Sequence, residues 1–485
     1  MLFFKILLLY FSMKVLQWTV RKRGDACMAA HANLLDKNIK KNMIQMALPL
    51  MFLNLINSLY SVVDTFFVGR IGELQVGAVT LVGPITSCAV AFTTGLNAAA
   101  LALISQSIGA GNREKANKTA THLVLLSSLT AIIMNAALLF FTDPILAWLD
   151  CPADILKDSR AYLQGIAFDF IGMFLLSLFH AIHQANGDSK SGVFVNSLSA
   201  VLNIILDPIF IFGLDLGVLG AALATSLSKF LLVPYVIYRL YKNDLHGMTT
   251  IAFRKFPLTM ESFKEIMTVT IPASVGQFFT AFGFVLMNKA IIYYGAIAMS
   301  AYGLGSRIAN LFYIPVNAIG GALSAFIGQS LGAGDVEHAK NCFKEGMKLC
   351  TAISAVITIF GWLIGPHIVP LFVKDASQEL LTLATEYTFY SVATAFFMGW
   401  YGILSGVFNG SGHTRSTLVL AVFRLWGCRI PMIYLFRMLG FGPTGIWWSM
   451  VLSNLCCCAA GQILYGTGRW QKTKLKKALR KAPLK

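Results

Sequence analysis

Residues 74–104 contain no Asp, Glu, Lys or Arg, and residues 308–334 contain none either. In a bilayer core no water satisfies backbone N–H and C=O groups. Such runs must therefore satisfy them internally, each as a helix of about twenty residues. The rest of the chain agrees. Of its 485 residues 56% are hydrophobic and only 13% charged, against about 25% charged in soluble domains. We expect an all-α integral membrane protein. Apolar runs define twelve transmembrane helices, at 46–69, 75–104, 119–142, 160–183, 192–213, 217–239, 268–293, 298–327, 346–366, 380–408, 416–437 and 444–466.

The spans form two sets. The stretch SQSIGAG at 105–111 returns as GQSLGAG at 328–334, an offset of 223 residues. At that offset Pro49 returns as Pro272, Gly72 as Gly295, Glu114 as Glu337, Ala116 as Ala339 and Asn186-Gly187 as Asn409-Gly410. One module is written twice. Six spans per copy is an even number, so both copies enter the membrane in the same direction. The fold expected is two parallel six-helix repeats about an axis along the membrane normal.

The organisation is then an N-terminal extension (1–42), an N-lobe (43–240, helices 1–6), a cytoplasmic inter-lobe linker (241–267), a C-lobe (268–466, helices 7–12) and a basic cytoplasmic tail (467–485). The extension has no small-residue cleavage site before Arg21-Lys22-Arg23, unlike a signal peptide. We expect it to lie at the membrane interface, or to precede a true start at Met28.

A net charge of +17 raises the question of nucleic acid, and its distribution answers it. With the N-terminus cytoplasmic, the cytoplasmic segments carry 29 of the 39 Lys and Arg, and the outer loops carry 5. That is the positive-inside bias, with both termini in the cytoplasm of a multi-pass cell-membrane protein. The basic run from Arg469 onward reads as an anchor on anionic lipid. The partners expected are membrane lipid and small molecules, with no nucleic acid, and the chain is read as a monomer.

The Gly-rich loops after spans two and eight follow no strand and carry no Lys-Ser or Lys-Thr pair, so they are not phosphate loops. We read their glycines as helix C-termini. The nine cysteines show no metal or redox spacing and act as small apolar residues. No cofactor is implied.

Acids inside a bilayer default to function, because each costs about 2.5–3.5 kcal/mol on insertion scales. The first half has Asp64 in span one, Asp169 in span four and Asp207 in span five; their counterparts at the 223 offset are Met287, Val392 and Ile430. Architecture common to both copies would appear in both, so ion chemistry belongs to the first bundle. At about 1.5 Å per residue, Asp64 lies roughly 8 Å, Asp207 roughly 9 Å and Thr225 of span six roughly 12 Å below the outer surface. Asn203 precedes Asp207 by one turn on the same face. Pro208 cannot donate a backbone hydrogen bond, which predicts a kink there that frees carbonyls. Carboxylate, amide and hydroxyl oxygens suit a proton or a hard cation such as sodium. We expect Asp64, Asn203, Asp207 and Thr225 to couple that ion.

Asp169 has no evident partner and is read, with Gln277, Asn288, Arg307 and Arg424, as a candidate lining of a substrate cavity. Lys289, near the end of span seven, is expected to snorkel, and His180 and His183 to lie at the cytoplasmic surface.

These residues carry a resemblance. Ala47-Leu48-Pro49 through Val63-Asp64, Val68-Gly69 and Ile71-Gly72 is similar to the first helix of the multidrug and toxic compound extrusion (MATE) family. SQSIGAG, GQSLGAG and Gly187-Asp188-Ser189-Lys190 resemble that family's cytoplasmic loops, and the likeness covers about residues 40–466. It implies two six-helix lobes with a cavity between them, and cation-coupled export of amphipathic, often cationic compounds by alternating access. The chain most resembles the branch of DNA-damage-inducible protein F. That branch's N-lobe cation site falls here on Asp64, Asn203, Asp207 and Thr225. Another bacterial branch carries an acid on helix seven; span seven here has Gln277 and Asn288 but no Asp or Glu. The basic second lobe departs from a simple cation-drug cavity. The alternative function is a flippase of the same superfamily for lipid or lipid-linked oligosaccharide, its arginines holding phosphates. An intramembrane enzyme would need catalytic groups paired at one depth, and none are found.

Overall fold

A computed structural model describes residues 33–242, 248–372 and 377–472. Among the described residues eleven helices are long and apolar enough to cross a membrane, and a bent pair makes a twelfth. We number them α1 (Ile39–Ile71), α2 (Leu74–Gly109), α3 (Arg113–Phe140), α4 (Ala153–Ala167 with Asp169–Ala185), α5 (Ser189–Gly213), α6 (Gly217–Lys242), α7 (Met260–Ile292), α8 (Ile297–Gly332), α9 (Val336–Gly365), α10 (Gln378–Gly410), α11 (Thr414–Met438) and α12 (Gly442–Gly466). This is the expected multi-pass, all-α architecture.

Three boundaries differ from the sequence reading. The fourth span is bent by 42° between Ala153–Ala167 and Asp169–Ala185, with Phe168 at the junction. The linker read as 241–267 ends earlier, since Thr259 caps α7 through its hydroxyl on the Ser262 amide. The start of the tail read as 467–485 folds back, burying Trp470, whose ring stacks on Tyr465 of α12 with centroids 4.9 Å apart. The extension up to residue 32 and the tail beyond 472 lie outside the described residues.

The Gly-Ala-Gly loops use their two glycines differently. Gly111 and Gly334 adopt φ of +71° and +79°, the left-handed conformation that ends a helix at little cost to glycine. Asn112 and Asp335, at the same repeat offset, then cap the next helices by accepting from the Lys115 and His338 amides, both at 2.8 Å. Gly109 and Gly332 serve contact instead. A Cβ on Gly109 would strike the Gln329 backbone, and one on Gly332 would strike the Gln106 backbone. The ends of α2 and α8 therefore cross with backbones touching. Gln106 Nε2 donates to the Gly410 carbonyl at 3.1 Å, and Gln329 Nε2 to the Ala185 carbonyl at 2.8 Å.

The crossing joins the two bundles at one end, here called the loop end. The buried clusters show the same asymmetry. Met43, Met46 and Leu50 of α1 pack into the C-lobe core with Ile319, Leu323 and Phe326. In return, Ile266 and Val269 of α7 join the N-lobe core. Ser189 and Thr414 donate to the carbonyls of Met46 and Val269, which are repeat equivalents. At the far end, Phe67 and Val68 cluster with N-lobe residues, and Met287, Tyr387 and Trp447 with C-lobe residues, among the described residues. The lobes share core at the loop end and keep separate cores at the far end. Large apolar side chains such as Ile133, Phe360 and Leu363 face outward from the bundles, as lipid contact requires.

The linker is laid along the N-lobe. The Thr249 and Thr250 amides donate to Asn186 and Asn117, and the Ala252 amide to Thr121. Lys115 then reaches across to Glu265 at the start of α7, at 2.8 Å.

Replacing Gly109 or Gly332 with Leu should open the loop end. Overpacking costs about 1–3 kcal/mol, a shift of roughly 5- to 150-fold in the ratio of joined to parted lobes. Spin labels at Lys118 and Lys340, in a cysteine-depleted background, should report a longer distance population in the variants. An unchanged distribution would refute the steric role of these glycines.

Candidate cation site

Asp207 is the last residue but one of the α-helical part of α5. Pro208 ends that part, and Ile209–Gly213 continue as a π-helical turn. Asp207 is 0% exposed and Asn203, one turn earlier, 1% exposed. Asn203 Nδ2 sits 3.2 Å from Asp207 Oδ1 and 3.2 Å from Thr225 Oγ1 of α6. A single amide nitrogen thus bridges carboxylate and hydroxyl. Tyr60 of α1 brings its hydroxyl within 3.3 Å of Thr225 Oγ1. Asp64, one turn after Tyr60, is half-buried and near enough for its charge to act on Asp207.

Two oxygens in this network lack donors. Asn203 Oδ1 and Asp207 Oδ2 are buried and accept no hydrogen bond among the described residues. Buried polar atoms are satisfied in the great majority of cases, so a pair of orphaned acceptors beside a second carboxylate fits a ligand that donates or carries positive charge. Among the described residues no group of three or more His, Cys, Asp or Glu is placed to hold a metal ion. The donor set is oxygen only, which suits a proton or sodium over softer ions.

Asp169 has a partner after all. Lys229 Nζ lies 2.7 Å from its Oδ1 and 2.8 Å from its Oδ2. The pair spans two helix breaks. Asp169 is the first residue after the bend in α4, and Lys229 precedes the turn at Leu231–Leu232 in α6. Ser226 Oγ adds a bond to the Gly165 carbonyl, so α6 is tied to α4 on both sides of the bend. Lys229 also acts electrostatically on Asp64, and Tyr162 lies within reach of all three carboxylates. Asp169 therefore belongs to the N-lobe polar interior.

Lys229 and Tyr60 were not singled out from the sequence. Both were readable by the rule that selected Asn203, since Lys229 follows Thr225 by one turn and Tyr60 precedes Asp64 by one turn.

The other residues read as cavity lining are dispersed. Gln277 is half-buried on α7, and Asn288 Oδ1 on the same helix is buried and unpaired. Arg307 on α8 is exposed, and Arg424 on α11 is buried. No hydrogen bond or ion pair joins any two of the five among the described residues. Lys289 is exposed, as expected of a snorkelling side chain. The surface reading of the histidines fails. His183 is fully buried, its ring 4.0 Å from that of Phe179 and its Nδ1 3.0 Å from the Phe179 carbonyl; His180 packs against Gly192. Packing against Phe179 and against Gly192 of α5 covers these rings, which a helix-end position alone did not reveal.

Comparison with known proteins bears on the family and the fold. The sequence profile of the family described as MatE matches residues 49–209 and 272–435, two segments starting at the same repeat offset. The chain is 24% identical over 441 residues to the "Probable multidrug resistance protein NorM" of Thermotoga maritima, covering 90% of this chain and 94% of that protein. It is 25% identical over 427 residues to the multidrug export protein MepA of Staphylococcus aureus, covering 88% and 93%. A crystal structure of MATE in complex with MaL6 superposes with a TM-score of 0.86 at 24% identity, over 93% of this chain and 99% of that one, and shares its fold.

The Asp169–Lys229 pair predicts a thermodynamic cycle. Removing one partner of a buried pair costs about 3–5 kcal/mol, whereas replacing both with apolar groups is near neutral. The Lys229 side chain keeps 24% of its exposure, so the lower end applies. In detergent, Asp169→Asn and Lys229→Met should each lower the unfolding midpoint more than Asp169→Leu/Lys229→Leu together. A double variant as damaged as the sum of the singles would disprove the coupling.

Proposed function

The chain belongs to the MatE family, and from that membership we propose that it is a secondary active multidrug efflux transporter, a cation/drug antiporter that exports amphipathic organic compounds by alternating access. It is a multi-pass membrane protein and a transporter rather than an enzyme. The relatives named as multidrug resistance and export proteins support the substrate class.

One observation carries the coupling. Asp207 Oδ2 and Asn203 Oδ1 are buried and unpaired among the described residues, and Asp64 is near enough for its charge to act on Asp207. A proton or sodium ion entering there supplies the missing partner and removes the repulsion between two carboxylates. It also competes for Thr225 Oγ1, which the Tyr60 hydroxyl now approaches from α1. Cation binding thus bears directly on how α1 lies against α5 and α6. The same α1 packs its first half into the C-lobe core, so a shift in its second half is transmitted across the lobe interface.

The loop end is assigned to the cytoplasm, with both termini, on the bias of Lys and Arg toward that side. Lobes joined there and parted at the far end then present an outward-facing form, open to the external cation. Closing the far end would require the crossing of α2 and α8 to separate. The coupling ion is the sole cofactor in this reading, and the transporter acts as a monomer in the cell membrane.

Asp64→Asn should abolish cation-driven efflux from proteoliposomes and leave membrane insertion unchanged, with Asp207→Asn behaving alike. Imposing pH and sodium gradients separately identifies the ion. Wild-type efflux rates in Asp64→Asn under either gradient would remove the assignment.

A further inference from the structure

The C-lobe interior holds two buried charges of its own. Arg424 and Arg429 lie on the π-helical turn Phe423–Arg429 of α11 and are 5% and 3% exposed. Each is near enough to act on the other's charge. Their partners are neutral. Arg429 donates from Nε to Ser453 Oγ and from Nη2 to Asn454 Oδ1, both at 3.0 Å. Arg424 Nη1 faces the Met398 sulfur at 3.2 Å, and its guanidinium lies 4.5 Å from the ring centroid of Tyr401. Arg424 Nε is buried and has no acceptor. Among the described residues no carboxylate forms an ion pair with either arginine.

Buried charges are normally paired or bound to a counter-ion. A thioether is a poor acceptor for a guanidinium, whose planar fork of donors matches a carboxylate or phosphate. The position is also telling. Ile430, next to Arg429, is the repeat counterpart of Asp207, and Met287 that of Asp64. Where one copy gathers carboxylates, the other gathers guanidiniums.

We propose that Arg424 and Arg429 form an oxyanion site in the C-lobe, which binds the carboxylate or phosphate group of an amphipathic substrate while Met398 and the Tyr401 ring contact its apolar body. This deepens the transporter reading above and rests on it for the word substrate. The binding itself is independent of cation coupling.

The test uses the full chain in phosphatidylcholine nanodiscs, with intrinsic tryptophan fluorescence as readout. Dodecyl phosphate and dodecanoate should bind saturably. Arg424→Gln should weaken both at least tenfold, and Arg424→Lys less. Dodecyltrimethylammonium should show no comparable loss. Arg429→Gln should act in the same direction; should it fail to fold, the Arg424 variants carry the test, because Arg424 bonds no side-chain oxygen. Equal affinity of wild type and Arg424→Gln for dodecyl phosphate overturns the proposal. So does a response confined to nanodiscs containing phosphatidylglycerol, which would make the arginines a lipid contact. Asp64→Asn should retain dodecyl phosphate binding, so failure of the antiport reading and failure of the oxyanion site are separately visible.

Discussion

The crossing of α2 and α8, with Gly109 against Gln329 and Gly332 against Gln106, is the contact on which the rest of the arrangement depends. Backbone meets backbone there, so nothing larger than hydrogen fits at either glycine. The glutamines at the crossing turn outward to carbonyls of the opposite lobe. In a membrane there is little hydrophobic force between helices, and association relies on close packing at small residues and on interhelical hydrogen bonds. Both occur at this crossing, and close packing continues between α2 and α7, where a Cβ on Gly95 would strike Ser274 and the Thr270 carbonyl. Among the described residues, the far-end clusters draw on one lobe each.

Duplication supplied two equal scaffolds, and the interiors then diverged in charge. Both copies place a proline at the same point of their fifth helix, Pro208 and Pro431, and both have a π-helical turn beside it. A π turn widens the helix and shifts side chains around its axis, a feature frequent at functional sites. In the N-lobe it adjoins Asp207; in the C-lobe it carries Arg424 and Arg429. The shared backbone device thus presents opposite charge in the two lobes.

The apolar runs predicted the spans well, because a bilayer enforces helix wherever a run is long and uncharged. The bend in α4 was missed, since helix direction depends on neighbours. Asp64, Asn203, Asp207 and Thr225 stood out as polar groups at one depth, and three of them share a hydrogen-bonded network through Asn203 Nδ2. Asp169 was misread for want of Lys229. A lysine in an apolar span looked like one basic residue among several, and only the packing of α6 on α4 reveals what it neutralises. His183 shows the converse error, a helix-end residue that is fully buried, its ring against Phe179.

By itself the sequence determined that the chain is helical and membrane-spanning, that it is one module repeated at 223 residues, and that Asp64, Asp169 and Asp207 have no acidic counterpart in the second copy. These follow from local chemistry: uncharged runs, aligned motifs and the presence or absence of a side chain. The tertiary structure alone decided which charges meet, which stay unpaired and at which end the lobes join. Those outcomes depend on distances between helices far apart in sequence, such as Tyr60 with Thr225, Asp169 with Lys229 and Gly109 with Gln329.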